Sequence, residues 1–240
     1  MWLWPVEHPS PLLSARLTRD TQRWRLAVRY GLGAIVLLTL GLLLRGGWLW
    51  LLWPAVSLGL ISANYLVIGA PGFQKRTNGR LTPAARWLYA PYLAGAWTNS
   101  RLWTRKHPQP DLIVDNVWLG RVPTTSEQGP FKAIVELCAE LPINPQGRAY
   151  ACVPVLDLIT PTADECLKAA HAIERLRMSG PLLVCCALGY SRSATAVAAW
   201  LLTTGRAATV DQALAIIRTA RATVVLHPAH REALEGLPHA

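Results

Sequence analysis

The stretch Pro181-Leu182-Leu183-Val184-Cys185-Cys186-Ala187-Leu188-Gly189-Tyr190-Ser191-Arg192-Ser193-Ala194 decides how this chain reads. Pro181 to Cys185 is a short apolar run opened by Gly180-Pro181, the pattern of a buried strand. Ala194 to Leu202 is Ala-rich and predicts a helix. A loop on such a strand-to-helix junction turns backbone N–H groups inward at the positive end of the helix dipole, which makes an anion cradle. Cys186 and Arg192 frame that loop, with Ala187, Leu188, Gly189, Tyr190 and Ser191 between them.

These residue types fit one chemistry. A thiolate is the nucleophile, and a helix N-terminus with a neighbouring Arg depresses a cysteine pKa below its free value of about 8.5. Arg192 has the planar fork that holds two oxygens of a phosphate. Gly189 permits φ > 0, so that the amides converge. Ser193 is placed to donate to the sulfur as it leaves. A Cys and an Arg at this spacing alone are a weak signal; the strand before, the Gly within, the Ser after and the helix beyond make it strong.

The loop resembles the phosphate-binding loop of cysteine-dependent phosphatases of the dual-specificity kind. It is most like bacterial membrane-attached members and the lipid-acting branch that includes the mitochondrial phosphatidylglycerophosphate phosphatase, whose loops also continue Ser-Arg-Ser-Ala-Thr. The likeness extends over about residues 111 to 235. It implies an α/β fold with a central, mostly parallel sheet flanked by helices, and a mobile acid on a loop before the nucleophile. It also implies a bacterial inner-membrane setting. One departure is Cys185, where most of the family has His; the change bears on the thiolate pKa and leaves the mechanism intact. Leu188 and Tyr190 are uncharged where inositide-directed relatives usually carry Lys, which disfavours polyphosphorylated headgroups.

Charge divides the chain in two. Residues 1–110 hold 13 Lys and Arg against Glu7 and Asp20, whereas residues 111–240 hold 11 against 12 acids. The basic half is also the apolar half, which reads as a membrane protein and not as a nucleic-acid binder. The five cysteines, Cys138, Cys152, Cys166, Cys185 and Cys186, form no C-x-x-C pair, and no metal or other cofactor is expected. Their odd number suits a reducing compartment. His227 and His230 read as helix-cap or surface residues.

Four segments follow. Residues 1–25 form a mixed N-terminal segment rich in Arg. Residues 26–70 hold two apolar runs, Leu26 to Leu44 and Trp48 to Ile68, each about the 20 residues a bilayer-spanning helix needs. They predict a helical hairpin kinked near Pro54, with Trp48, Trp50 and Trp53 close to the far interface. Residues 71–110 are a basic and aromatic connector in which Ala84 to Leu93 lies along the headgroups or packs on the next domain as an amphipathic helix. Residues 111–240 are the α/β domain. Arg before the first run and Lys75, Arg76, Arg80 and Arg86 after the second place both ends in the cytoplasm. The expected partners are a lipid bilayer, through 26–70 and through 71–110, and a phosphorylated lipid or phosphoprotein substrate.

Within 111–240, Ile113–Val114 with Val117–Gly120 predict a hairpin, and Lys132–Leu137 and Ala149–Leu156 predict strands. Ala163–Met178 and Thr209–Ala220 predict helices. Ester hydrolysis through cysteine needs an acid for the leaving oxygen and then a base for water. Asp157, opening the loop after a strand, is the candidate; Asp164 and Glu165 sit at a helix start, where capping explains them. The expected cycle runs from Cys186 attack, with the amides and Arg192 on the phosphoryl oxygens, to release assisted by Asp157 and Ser193. The expected substrate is a phosphorylated lipid headgroup such as phosphatidylglycerophosphate, with a phosphoprotein or a silent phosphate-binding scaffold as alternatives. Cys185 and Cys152 stand either as redox partners that trap oxidised Cys186 or as small buried hydrophobes.

Overall fold

The computed structural model describes residues 11–238, so residues 1–10 of the N-terminal segment lie outside the described residues. Helix α1 (Pro11–Leu44) runs unbroken for 34 residues through the expected boundary at residue 25. Arg45 and Gly46 then turn the chain with φ of 53° and 56°. A 3-10 segment, Gly46–Leu51, leads into α2 (Leu52–Ala63) and a π turn at Asn64–Ile68. Pro54 falls in the first turn of α2, where its missing N–H costs nothing, so the irregularity lies just before it. Two stretches, Arg19–Leu44 and Gly46–Ile68, are long and apolar enough to cross a bilayer, with mean hydropathy of 2.0 and 1.7.

The two arms pack through small residues. A Cβ on Gly31 would stand 3.2 Å from Ser62 Oγ, and one on Gly33 3.2 Å from a Leu58 methyl. Ser62 Oγ also donates to the Ala27 carbonyl at 2.8 Å. Close backbone approach with a polar tie is how helices associate without a hydrophobic drive between them.

The connector departs from expectation. Two helices, α3 (Pro83–Leu88) and α4 (Ala90–Trp103), replace the single helix expected over 84–93. Pro91 is the reason: it cannot donate to the Trp87 carbonyl one turn back. Trp53 Nε1 takes that carbonyl instead, at 3.1 Å, and the two indoles stack with centroids 5.5 Å apart. Trp53 and Trp87 therefore lie side by side and tie the first turn of α2 to the connector. The distal half of α4 packs on the α/β domain through buried Ser100, while Trp87 and Trp103 stay exposed.

The α/β domain is built on a five-stranded sheet of order β1-β2-β5-β3-β4. These are β1 (Asp111–Val114), β2 (Val117–Arg121), β3 (Ala133–Cys138), β4 (Ala149–Val155) and β5 (Leu182–Cys186). Only β1 is antiparallel; β5 lies between β2 and β3, paired in parallel with both. A central parallel strand is covered on both faces and reads as a continuous apolar run, as Leu182–Cys186 does. Helices α5 (Ala163–Arg177), α6 (Arg192–Thr203), α7 (Val210–Ala220) and α8 (Pro228–Glu235) complete the fold. Helix α5 opens with a capping box in which Thr162 and Glu165 satisfy each other's backbone N–H, so capping accounts for Glu165. Asp164 pairs on the surface with Lys168 at 2.7 Å.

Two cores hold this together. The larger fills the sheet and α5–α7 around the fully buried Trp200. The smaller joins Leu26, Ala27, Ile61 and Tyr65 of the hairpin to Ala139, Leu156 and Ile159 of the α/β domain. The hairpin is thus packed directly on the segments that follow β3 and β4.

Candidate active site

Parallel strands deliver their C-terminal ends to one edge of a sheet, and three such ends meet here. β5 ends at Cys186, the segment after β3 carries Glu140, and that after β4 carries Asp157. The loop from Cys186 to Arg192 closes in the smallest space that a backbone allows. Gly189 has φ 74°, and a Cβ there would lie 2.4 Å from the Gly120 carbonyl carbon. No other residue fits.

The loop carbonyls are tied outward. Ser100 Oγ donates to Ala187 O at 2.6 Å, Arg221 Nε to Gly189 O at 3.1 Å, and Val225 N–H to Tyr190 O at 3.0 Å. Arg221 is itself fixed by Asp111 at 2.6 Å. With the carbonyls held away, the amides are left to face the centre, and Gly189 N–H approaches Cys186 Sγ at 3.3 Å. Ser193 Oγ donates to the same sulfur at 3.2 Å. Burial alone would push the Cys186 thiol up; Arg192 and the hydrogen bonds from Ser193 and Gly189 outweigh it and bring the thiol below its ordinary value.

Arg192 is buried and heavily engaged. Nη1 and Nη2 meet Glu140 as a fork at 3.0 and 2.7 Å, Nη1 also reaches Val155 O at 2.8 Å, and Nη2 reaches Asp157 at 2.8 Å. The fork expected to hold two phosphate oxygens is thus turned to Glu140, a residue that gives no local signal in the sequence. Among the described residues Nε has no protein partner. Burial would raise Glu140, but Arg192 holds it below the ordinary carboxylate range. Burial pushes Asp157 up, Arg192 opposes this, and the charge on Glu140 adds to the rise. The Asp157 backbone carbonyl accepts from Tyr65 of the hairpin at 2.9 Å, and Leu158 beside it takes φ 58°, a costly conformation for a bulky residue.

His230 of α8 is buried and within 2.7 Å of Ser191 Oγ. Burial lowers its pKa to about 4, so it is neutral at pH 7. The expectation of a surface or cap residue holds for His227, which caps α8, and is corrected for His230. The thiols of Cys185 and Cys152 lie in one lateral row across Glu136, on the sheet face opposite Cys186. Two strand spacings of about 4.8 Å separate them, beyond disulfide reach. Burial raises both, Cys152 to about 11. Strand alternation thus turns both thiols away from Cys186, and the geometry gives the redox trap no partner.

Above the loop lies a cavity of about 430 Å³. Cys186, Arg192, Asp157, Tyr190, His227 and His230 line it. Gln22, Arg25, Leu26 and Arg29 of α1 line it as well. No sequence pattern links α1 to a loop so far along the chain.

A buried thiol of lowered pKa, an arginine and a carboxyl of raised pKa thus meet at one edge of the sheet. The chain belongs to the family described as dual specificity phosphatase, catalytic domain, whose profile matches residues 117–236. Among solved structures it is similar to Tk-PTP in its active form, at 27% identity over 54% of this chain and 95% of that one, with a TM-score of 0.49. PTPMT1 is similar at 21% identity over 52% and 90%, with a TM-score of 0.47. Human DUSP28 is similar at 23% over 53% and 91%, with a TM-score of 0.46. No curated protein matches.

Proposed function

We propose that this phosphatase is anchored in a membrane by residues 26–70 and hydrolyses a phosphorylated lipid headgroup such as phosphatidylglycerophosphate. One observation carries the reading: a wall of the cavity over Cys186 belongs to α1, the helix that continues as an apolar span. A headgroup at the bilayer surface reaches such a cavity from the side.

In the proposed cycle the Cys186 thiolate attacks phosphorus, forming the S–P bond as the ester P–O bond breaks. Asp157 gives its proton to the leaving oxygen. Its raised pKa suits that step, and phosphate binding displaces it from Nη2 of Arg192. The loop amides of Ala187 to Arg192, with Arg192 itself, carry the charge on the phosphoryl oxygens, and Glu140 positions the guanidinium. Asp157 then accepts a proton from water as water attacks phosphorus and the S–P bond breaks. Ser193 steadies the returning thiolate.

The test is phosphate release by detergent-solubilised wild type and Cys186→Ser on phosphatidylglycerophosphate and a phosphotyrosine peptide. Release from the lipid, absent in the variant, is the expected result. Preference for the peptide would replace the lipid reading with a protein phosphatase. Release from neither, with phosphate binding retained, would leave a silent binding module.

A further inference from the structure

Four arginines of α1, Arg19, Arg23, Arg25 and Arg29, divide into two pairs. Arg19 pairs with Glu165 at 3.3 Å, and Arg23 Nε donates to the Tyr65 carbonyl at 3.0 Å. Arg25 and Arg29 are exposed, line the cavity over Cys186, and among the described residues have no ion-pair or hydrogen-bond partner. They are four residues apart on one helix face, about 6 Å along the axis. The phosphoryl group does not need them, since Arg192 and the loop amides already surround its seat. The loop side chains in the cavity, Leu188 and Tyr190, carry no charge. Two unpaired cations therefore face a space in which the reacting phosphate is neutralised elsewhere.

The same stripe of α1 continues with Leu32, Val36 and Leu43, which are 59%, 55% and 73% exposed. From the cavity outward, the helix thus presents two cations and then bare aliphatic surface. That order matches an amphiphile whose second negative charge lies between its terminal phosphate and its acyl chains. Resting on the lipid reading above, we propose that Arg25 and Arg29 form a second anion subsite that selects lipids bearing both a terminal phosphomonoester and a phosphodiester. The monoester sits over Cys186, the diester is gripped by the two guanidinium groups, and the acyl chains run along Leu32 and Val36. The diester is bound and left chemically unchanged.

The experiment uses the full chain in detergent micelles with two lipids of matched acyl chains. Phosphatidylglycerophosphate carries both groups, and phosphatidic acid only the monoester; p-nitrophenyl phosphate reports the loop alone and normalises each variant. For Arg25→Ala/Arg29→Ala the ratio of kcat/KM on the two lipids is expected to fall at least tenfold, chiefly through KM. The double Arg→Lys variant is expected to keep most of that ratio, because it keeps the charge. A ratio within twofold of wild type in the double Ala variant would overturn the subsite. The wild-type rates judge the underlying reading separately: hydrolysis of a phosphotyrosine peptide and of neither lipid would remove both the lipid reading and this subsite.

Discussion

Glu140→Gln is the substitution whose effect follows most directly from the site. The carboxylate meets Arg192 through two bonds at 3.0 and 2.7 Å, and both side chains are almost fully buried. Gln keeps one acceptor and places an N–H donor against the other guanidinium N–H. A charge-assisted bond contributes about 1.5–3 kcal/mol, and breaking one side of a buried pair costs about 3–5 kcal/mol, so a loss near 3 kcal/mol is expected. If the guanidinium loses that much positioning in the transition state, kcat/KM falls about 100-fold, at 1.36 kcal/mol per decade. The pH profile changes as well. The charge on Glu140 helps to hold Asp157 above its ordinary value, so removing it lowers Asp157. An acid must be protonated to act, so the falling limb of kcat/KM moves to lower pH. The limb set by Cys186 ionisation rises at a pH already brought down by Arg192. The assay is p-nitrophenyl phosphate hydrolysis against pH, with thermal unfolding in the same detergent. Wild-type kcat/KM with an unmoved falling limb would refute the positioning role of Glu140.

Other expectations are narrower. Gly189→Ala forces a Cβ to within 2.4 Å of the Gly120 backbone at positive φ; activity should fall more than 100-fold with loss of phosphate binding by calorimetry, and retained binding would contradict the loop geometry. Folding holds His230 neutral down to about pH 4, whereas unfolded His titrates near 6.5. The unfolded chain therefore binds more protons between those values, and up to about 3 kcal/mol of stability is lost as pH falls through the window. His230→Gln should flatten that dependence in denaturant unfolding at pH 4 and 7, and an unchanged slope would exclude it. Gly46→Cys in the hairpin turn should react with an impermeant maleimide only from the membrane face opposite the catalytic domain; labelling from the catalytic side alone would mean that the hairpin enters the bilayer and returns.

The parts of the fold legible in the sequence were those fixed by neighbours in the chain. Gly180-Pro181, the apolar run to Cys186 and the Ala-rich helix after it define β5, the loop and α6 through local period and punctuation. The same holds for β3, β4 and α5. Helix α8 was missed, although Pro228 after His227 is the pattern of a first helical residue after a cap; eight residues carry too little periodicity. Within the site, Cys186, Arg192 and Ser193 share one motif, and Asp157 is reachable through its place after a strand. Glu140, His230 and Arg221 were not, because their partners are 52, 39 and 32 residues away and only the folded sheet brings them together. The wall from α1 is the extreme case of the same limit.

The small core that joins Leu26, Ile61 and Tyr65 to Leu156 and Ile159 makes the N-terminal hairpin more than a mooring. Removing it would take away part of the pocket lining and the hydroxyl on the Asp157 carbonyl. Substitutions in that joint are therefore expected to alter turnover as well as folding, although they lie far from Cys186 in the chain.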